Sequence, residues 1–139
     1  MSTRCQLKVT GGINRESLTL YHHCDGYPDH ILEDIITTYN RVAKSWVGHR
    51  AGKVAAFLCE THPAGFEPEE GHELHGDIAF YYLVEIATDN TTPPWVIKVH
   101  TVALTPHPGK LTPLLAFEGT PDTIMAAYEA WVKAEAENE

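Results

Sequence analysis

Polar and apolar residues alternate near the start of the chain, in the stretch MSTRCQLKVT. In an extended chain the apolar residues lie on one side and the polar residues on the other, and this alternation predicts a half-buried strand. The apolar side consists of Cys5, Leu7 and Val9, and the polar side of Arg4, Gln6 and Lys8. After the turn-forming segment GGINRE, the stretch ESLTLYHH alternates in the same way, so the two runs should pair as a hairpin. By this parity Tyr21 and His23 point outward, whereas His22 and Cys24 lie on the side of the leucines.

The segment DGYP, residues 25–28, predicts a corner followed by a helix. Asp25 can accept hydrogen bonds from backbone amides ahead of it, Gly26 permits unusual dihedrals, and Pro28 suits the first turn of a helix. Apolar residues then recur every three or four positions, and Gly48 should end the helix. The resulting stripe would pack on the hairpin and consists of Ile31, Leu32, Ile35, Ile36, Tyr39, Val42, Ala43 and Trp46.

The rest of the chain alternates between regular and irregular patterns. AGKVAAFLCE fits a short helix or a buried strand, and its alanines favour the helix. The prolines and glycines of residues 61–76 indicate a loop. DIAFYYLVEIA and PWVIKVHTVAL are rich in β-branched and aromatic residues and predict two further strands, separated by the turn TDNTTP. THPGKLTPLLAFEGTP is loop-like apart from its central apolar residues, and DTIMAAYEAWVKAEAENE predicts a closing helix.

The order of these elements predicts an α+β fold. Two strands, two helices, two strands and a helix (ββααββα) suggest an antiparallel four-stranded sheet with the helices packed on one face. A chain of 139 residues fits a single domain over residues 1–139.

Charge and cysteine content narrow the classes of function. With 19 acidic and 10 basic residues, the net charge of −9 disfavours generic binding of nucleic acid or anionic lipid. Three cysteines without a C-x-x-C spacing argue against a disulfide framework or a zinc ribbon and favour a cytoplasmic protein. No apolar run approaches the roughly 20 residues that span a bilayer, so we expect no membrane association.

The outward face of the predicted sheet is the expected binding site. Its side chains are too polar for a core and too aromatic for an indifferent surface, and a guanidinium beside them could bind a phosphate or a carboxylate. An ion pair of Arg4 with Glu85 or Asp77 is the alternative. The candidate ligand-binding residues are Arg4, Tyr21, His23, Asp25, Tyr81 and His100.

A divalent metal site is a second hypothesis. His23 and Asp25, with His72 and His75 from the loop, offer imidazole and carboxylate ligands that suit Zn, Mn or Fe. The alternative is structural, with Asp25 capping the turn and the loop histidines solvated. We assign no catalytic residue, because neither the serines nor Cys24 lie in a recognisable nucleophile motif.

Three segments, STRCQLKV, LYHHCDGYP and HGDIAFYYLVEI, give the chain a family resemblance. They resemble small uncharacterised proteins of phages and bacterial mobile elements, which tend to begin Met-Gly-Thr-Arg and carry a Tyr-x-His-x-Asp-Gly-Tyr-Pro segment. This chain has Ser2 in place of that glycine. The resemblance implies a mobile-element setting, in which small acidic proteins often inhibit or sequester host components.

Two functions therefore stay open, and the sequence does not decide whether the chain is an enzyme. The first is a non-catalytic binding protein, which binds a small anionic ligand or blocks a host protein and so acts as a counter-defence inhibitor. The alternative is a small metal-dependent hydrolase that uses His23 and Asp25 with His72 and His75. We also expect a homodimer, because an open sheet face with apolar residues usually acquires a cover.

Overall fold

A computed structural model of the 139-residue chain describes residues 3–23, 25–42, 45–61, 65–88, 95–104 and 111–138. Cys24, whose side chain we expected to lie with the leucines, is outside the described residues. The elements, in chain order, are β1 (Arg4–Gly11), β2 (Glu16–His22), α1 (Pro28–Val42), a 3₁₀ helix (Trp46–His49), α2 (Ala51–Thr61), β3 (Phe66–Pro68), β4 (Ile78–Ile86), β5 (Trp95–Leu104), β6 (Leu111–Gly119) and α3 (Ile124–Glu137).

One six-stranded mixed sheet, in the order β3-β2-β1-β4-β5-β6, forms the centre of the fold. The predicted hairpin of β1 and β2 is present, with Leu7 opposite Leu20. On its other side β1 pairs with β4 in parallel, and Leu7 lies opposite Tyr82. The remaining neighbours pair antiparallel. The α+β class is confirmed, and the prediction of an antiparallel four-stranded sheet is wrong.

Two strands that the sequence pattern did not indicate account for the difference in strand number. β3 has only three residues and lies in the segment that its prolines and glycines marked as a loop. β6 contains Pro113, and a register shift in its pairing with β5 falls between Val99 and His100, so its side chains do not keep a simple alternation. Both strands owe their structure to a neighbouring strand more than to their own pattern.

The core lies between one face of the sheet and the helices. Leu7, Tyr82 and Trp95 from the sheet are fully buried, as are Ile31 of α1 and Leu58 of α2. α3 packs at the β6 end through Trp131, whose ring lies 5.5 Å from that of Phe117 and 6.4 Å from that of Phe80. In the part of the chain that the structure describes, no helix is both long and apolar enough to cross a membrane.

α1 ends earlier than its sequence pattern predicted. It stops at Val42, and the Trp46–His49 segment is a separate 3₁₀ helix, in which the Trp46 side chain is 60% exposed. The prediction that Trp46 belongs to the buried stripe of α1 is therefore wrong, and Ala43, which we assigned to the same stripe, lies outside the described residues. The predicted helices at residues 51–60 and 122–139 correspond to α2 and α3.

The corner at residues 25–28 joins β2 to α1. Asp25 has the left-handed backbone conformation, with φ of 53°. The Gly26 amide donates to the Thr3 carbonyl at 2.9 Å, and the Gly26 carbonyl accepts from the Tyr82 hydroxyl at 2.6 Å. Pro28 is the first residue of α1, as predicted. The corner is thus bonded to the residue before β1 and to β4.

Candidate functional site

The side of the sheet that faces away from the helices, here called the polar face, carries most of the predicted site residues. Strand pairing places Gln6 of β1 beside Tyr21 of β2 and Tyr81 of β4, and Tyr81 lies opposite His100 of β5. Because paired residues point to the same side of a sheet, these four side chains share one face. The polar face has two halves with different surroundings.

Residues 69–77, here called the covering loop, fold over the half formed by β1 and β2. The fully buried Gln6 side chain fixes this loop. Its Nε2 donates to the Glu73 carbonyl at 3.0 Å and to Glu69 Oε1 at 3.2 Å, and its Oε1 accepts from the His75 amide at 2.9 Å. Both the nitrogen and the oxygen of this buried amide therefore have partners, and all three of these partners lie in the covering loop.

The predicted site histidines on this half each contact a different partner. His72 Nδ1 lies 2.6 Å from the Thr19 hydroxyl, and His75 Nε2 contacts Glu69 Oε1. His23, on an exposed position after β2, contacts Glu67 Oε1 through Nε2 at 2.7 Å. These contacts link the loop, β2 and β3.

Tyr21 lies beneath the covering loop and is only 4% exposed, so it is not the open binding residue that the parity of β2 suggested. Its hydroxyl donates to Asp77 Oδ2 at 2.9 Å, and its ring lies 4.4 Å from the His75 ring. Burial raises the pKa of Tyr21 to about 12, and the hydrogen bond to Asp77 and the negative charge of Asp77 add to the rise.

Arg4 is paired with Asp77, which is one of the two alternatives that we considered for it. The Arg4 Nε atom lies 3.5 Å from Asp77 Oδ2, the oxygen that also accepts from Tyr21. Both side chains of the pair are nearly half exposed, so solvent screens their attraction.

The proposed metal ligands do not form a cluster. His23, His72 and His75 contact Glu67, Thr19 and Glu69 respectively, and Asp25 lies exposed at the corner. Within the stretches of chain that the structure describes, no three His, Cys, Asp or Glu side chains gather closely enough to hold a metal ion. The metal site stays a prediction, and a bound ion would require at least three of these side chains to come together.

The half of the polar face formed by β4, β5 and β6, here called the uncovered half, lies beyond the covering loop. Tyr81 and Leu83 of β4 and His100 of β5 are partly exposed there. The His100 ring lies 5.5 Å from that of Tyr81, and its Nδ1 atom lies 3.3 Å from the Tyr81 carbonyl oxygen. Leu115 of β6, opposite His100, is 54% exposed.

One basic and two acidic side chains lie together on the uncovered half. Lys98 Nζ lies 2.7 Å from Glu85 Oε1, and this hydrogen bond, with the charge of Glu85, raises the pKa of Lys98. Glu118 of β6 lies opposite Lys98 and is exposed. Burial raises the pKa of Tyr81. The uncovered half therefore combines an aromatic and aliphatic surface with one excess negative charge among these three charged residues.

The sequence did not identify several residues of the polar face as part of the candidate site. Gln6 occupies a polar position of an alternating strand, and this alternation could have identified it as a residue of the polar face. Its burial could not be predicted, because it depends on a loop more than sixty residues away. Leu115 is one of the central apolar residues of a segment that was otherwise loop-like, and we assigned it no strand. Its exposure on the sheet became visible only with the pairing of β5 and β6.

Comparisons of the chain with protein-family models, with curated proteins and with solved structures find no match.

Proposed function

We propose that this chain is a small non-catalytic binding protein of the phage or mobile-element type, which blocks a host protein through the uncovered half of its polar face. The observation that carries the proposal is the group of partly exposed Tyr81, Leu83 and His100 side chains, continued by the exposed Leu115 on the neighbouring strand. Aromatic and aliphatic residues on a regular sheet suit the apolar centre of a protein interface.

The contacts of Arg4 favour a protein partner over a small anionic ligand. The Asp77 carboxylate lies against the guanidinium and also accepts the Tyr21 hydrogen bond. An incoming anion would have to compete with this carboxylate and would approach a loop that contains Glu69, Glu70 and Glu73. A neutral apolar contact on the uncovered half meets no such competition.

The positions of the histidines favour binding over metal-dependent hydrolysis. A metal site needs three or four ligands arranged around one point. Among the residues that the structure describes, no three His, Cys, Asp or Glu side chains are grouped in this way, although His72 and His75 each keep a second ring nitrogen beside the one that contacts Thr19 or Glu69. Zinc, manganese or iron measured at one ion per chain after purification without added metal would contradict the proposal and favour the hydrolase.

The test compares baits that differ at one position. The tagged chain, its Leu83→Asp variant and a Val132→Asp variant on α3 are incubated with extracts of a bacterial host, and recovered proteins are quantified by mass spectrometry. Val132 is a suitable control because it is also partly exposed, at 43%, but lies on the helix side of the molecule. We expect a host protein that the wild type and Val132→Asp recover equally and Leu83→Asp loses.

A purified candidate partner then allows titration with the same three chains. A fall of about tenfold or more in affinity for Leu83→Asp, with Val132→Asp unchanged, supports the proposal. Equal affinity of all three chains would exclude the uncovered half as the binding surface.

A further inference from the structure

The positive charge of this acidic protein is concentrated in one stretch of sequence. No acidic residue occurs between Asp34 and Glu60, although the chain contains 19 of them. Four of the ten lysines and arginines fall in the same interval, namely Arg41, Lys44, Arg50 and Lys53. A local basic region thus interrupts a chain whose net charge is −9.

The turn between β1 and β2 packs beside this basic stretch. The Ile13 amide donates to the His49 carbonyl at 2.8 Å, and Gly12 forms an isolated β-bridge with Arg50. From the core side, the buried Trp95 indole donates to the Gly48 carbonyl at 3.0 Å. The turn and the 3₁₀ helix therefore form one surface that is bonded to the core.

Large apolar side chains are exposed on that surface. The Trp46 side chain is 60% exposed, and Ile13 on the adjacent turn is 43% exposed. The Arg50 guanidinium lies 5.8 Å from the centre of the Trp46 ring, within the range of a cation–π contact. Arg15 of the turn is exposed, and so is Lys53, which follows Gly52 in the first turn of α2. Ile13, Arg15, Trp46, Arg50 and Lys53 are here called the Trp46 surface.

Arg50 is held in position from the other side by an acidic residue. Its Nε atom lies 3.6 Å from Glu16 Oε1, and the same carboxylate oxygen accepts from the Gly52 amide at 3.3 Å. An arginine and a tryptophan on a bonded segment lose little conformational entropy when they bind. Tryptophan and arginine are also the residues that most often dominate the energy of protein interfaces.

We infer that the Trp46 surface is a second binding surface, which docks an acidic protein segment carrying an apolar side chain. The apolar side chain would contact Trp46 and Ile13, and carboxylates on either side of it would meet Arg15 and Lys53. Arg50, which is already paired with Glu16, would support the Trp46 ring. Charge complementarity selects this partner, because the region is basic while the rest of the protein is acidic. A second copy placed surface to surface would oppose these positive charges with positive charges.

An acidic protein segment fits better than a nucleic acid or a membrane. Both of the latter are extended polyanions, and the −9 charge of the whole molecule repels them beyond the small basic region. A short segment carries its negative charge only where it touches the protein. The aromatic ring and the guanidinium would also serve base stacking, so the experiment includes a nucleic acid arm.

The test uses short synthetic peptides in which Glu and Asp flank a single Leu or Phe, and matched peptides with Gln and Asn in place of the acids. Titrations follow the tryptophan fluorescence and the backbone amide chemical shifts of the full chain. The variants are Trp46→Ala and Lys53→Glu, with Val132→Ala and Lys133→Glu on exposed positions of α3 as matched controls. Oligothymidylate and phosphatidylglycerol vesicles are titrated in parallel, and thermal melts confirm that each variant folds.

We expect the acidic peptides to shift the amides of residues 12–16 and 45–53 and to bind more weakly as salt is raised. Trp46→Ala and Lys53→Glu should each weaken binding, by about tenfold for the tryptophan, and the α3 controls should not. Leu83→Asp should leave this binding intact, so that failure of the proposed function and failure of this inference are separate results.

Four results would overturn the inference. They are the lack of binding by any acidic peptide, equal binding of acidic and neutral peptides, shifts confined to the polar face, and tighter binding of oligothymidylate or vesicles at residues 45–53. The last result would identify the surface as a nucleic acid or lipid site instead.

Discussion

Neighbouring residues at the corner before α1 have different roles. The sequence suggested that Gly26 supplies the unusual backbone dihedrals, but it is Asp25 that has the left-handed conformation. Gly26 is required for a different reason. A Cβ atom at this position would lie 2.9 Å from the Thr3 carbonyl oxygen and 3.0 Å from the Cβ of Cys5, so a side chain would push β1 away from the corner.

The first prediction at this scale is that Gly26→Ala destabilises the fold by about 1–3 kcal/mol, because the added methyl group meets backbone atoms that cannot move without disturbing the sheet. Denaturant unfolding measures the effect. Gly71→Ala is the control, since a Cβ at Gly71 would have no atom within 4 Å. Equal midpoints of unfolding for the two variants would show that the corner tolerates a side chain.

The second prediction concerns Tyr21 at alkaline pH. The folded state holds its proton up to about pH 12, whereas the ordinary tyrosine pKa is 10.0. Between these values the folded state binds more protons than the unfolded chain, so the free energy of unfolding falls as the pH rises. The stabilisation is fully present below about pH 10.

Tyr21→Phe tests this sign, because it keeps the ring and removes the ionisable hydroxyl. We expect unfolding measured from pH 9 to 12 to depend less on pH in the variant, which retains the other tyrosines. At neutral pH the loss of the hydrogen bond to Asp77 should cost about 0.5–1.5 kcal/mol. Identical slopes for variant and wild type would contradict the raised pKa of Tyr21.

Among the elements, the covering loop depends most on a single distant side chain. Replacement of Gln6 by leucine keeps the volume but removes the partners of the Glu73 carbonyl and the His75 amide. We expect a loss of about 1–3 kcal/mol in the free energy of unfolding, and faster hydrogen exchange for the amides of residues 69–77. Lys8→Met, on the same face of β1, is the control. Unchanged exchange in Gln6→Leu would show that the histidine contacts hold the loop without Gln6.

Elements with a strong local pattern could be predicted from the sequence, and elements that depend on distant partners could not. β1, β2, β4 and β5 alternate or are rich in β-branched residues, and α1 and α2 follow their apolar spacing or alanine content. β3 and β6 have no such pattern and are strands because a neighbour provides hydrogen bonds. The parallel pairing of β1 with β4 has no local signal at all.

The residues of the candidate site could likewise be predicted only where a local sequence pattern determines their position. Parity placed Tyr81 and His100 together on one face, and they are in contact. It placed Tyr21 on that face too, but the burial of Tyr21 comes from Asp77 and the covering loop, whose irregular sequence gave no indication of where it folds.

For the whole molecule, the homodimer stays a prediction, and the structure limits where it could form on the sheet. The covering loop occupies one half of the polar face, so a second copy would have to use Tyr81, Leu83 and Leu115 on the other half, where it would compete with the proposed host protein. Light scattering at micromolar concentration should give twice the 15.5 kDa of one chain, and Leu83→Asp should halve it. A mass of one chain for the wild type would leave this half entirely to the proposed host protein.

The parallel pairing of β1 with β4 also affects when the sheet can fold during synthesis of the chain. Leu7 meets Tyr82 only after more than half of the chain has been synthesised. Until then the β1–β2 hairpin on the ribosome has an open edge, along what becomes a central strand with fully buried side chains. Such an edge pairs readily with other chains. A chain interrupted after α2 would therefore expose an aggregation-prone strand, which folding chaperones would have to protect until β4 has been synthesised.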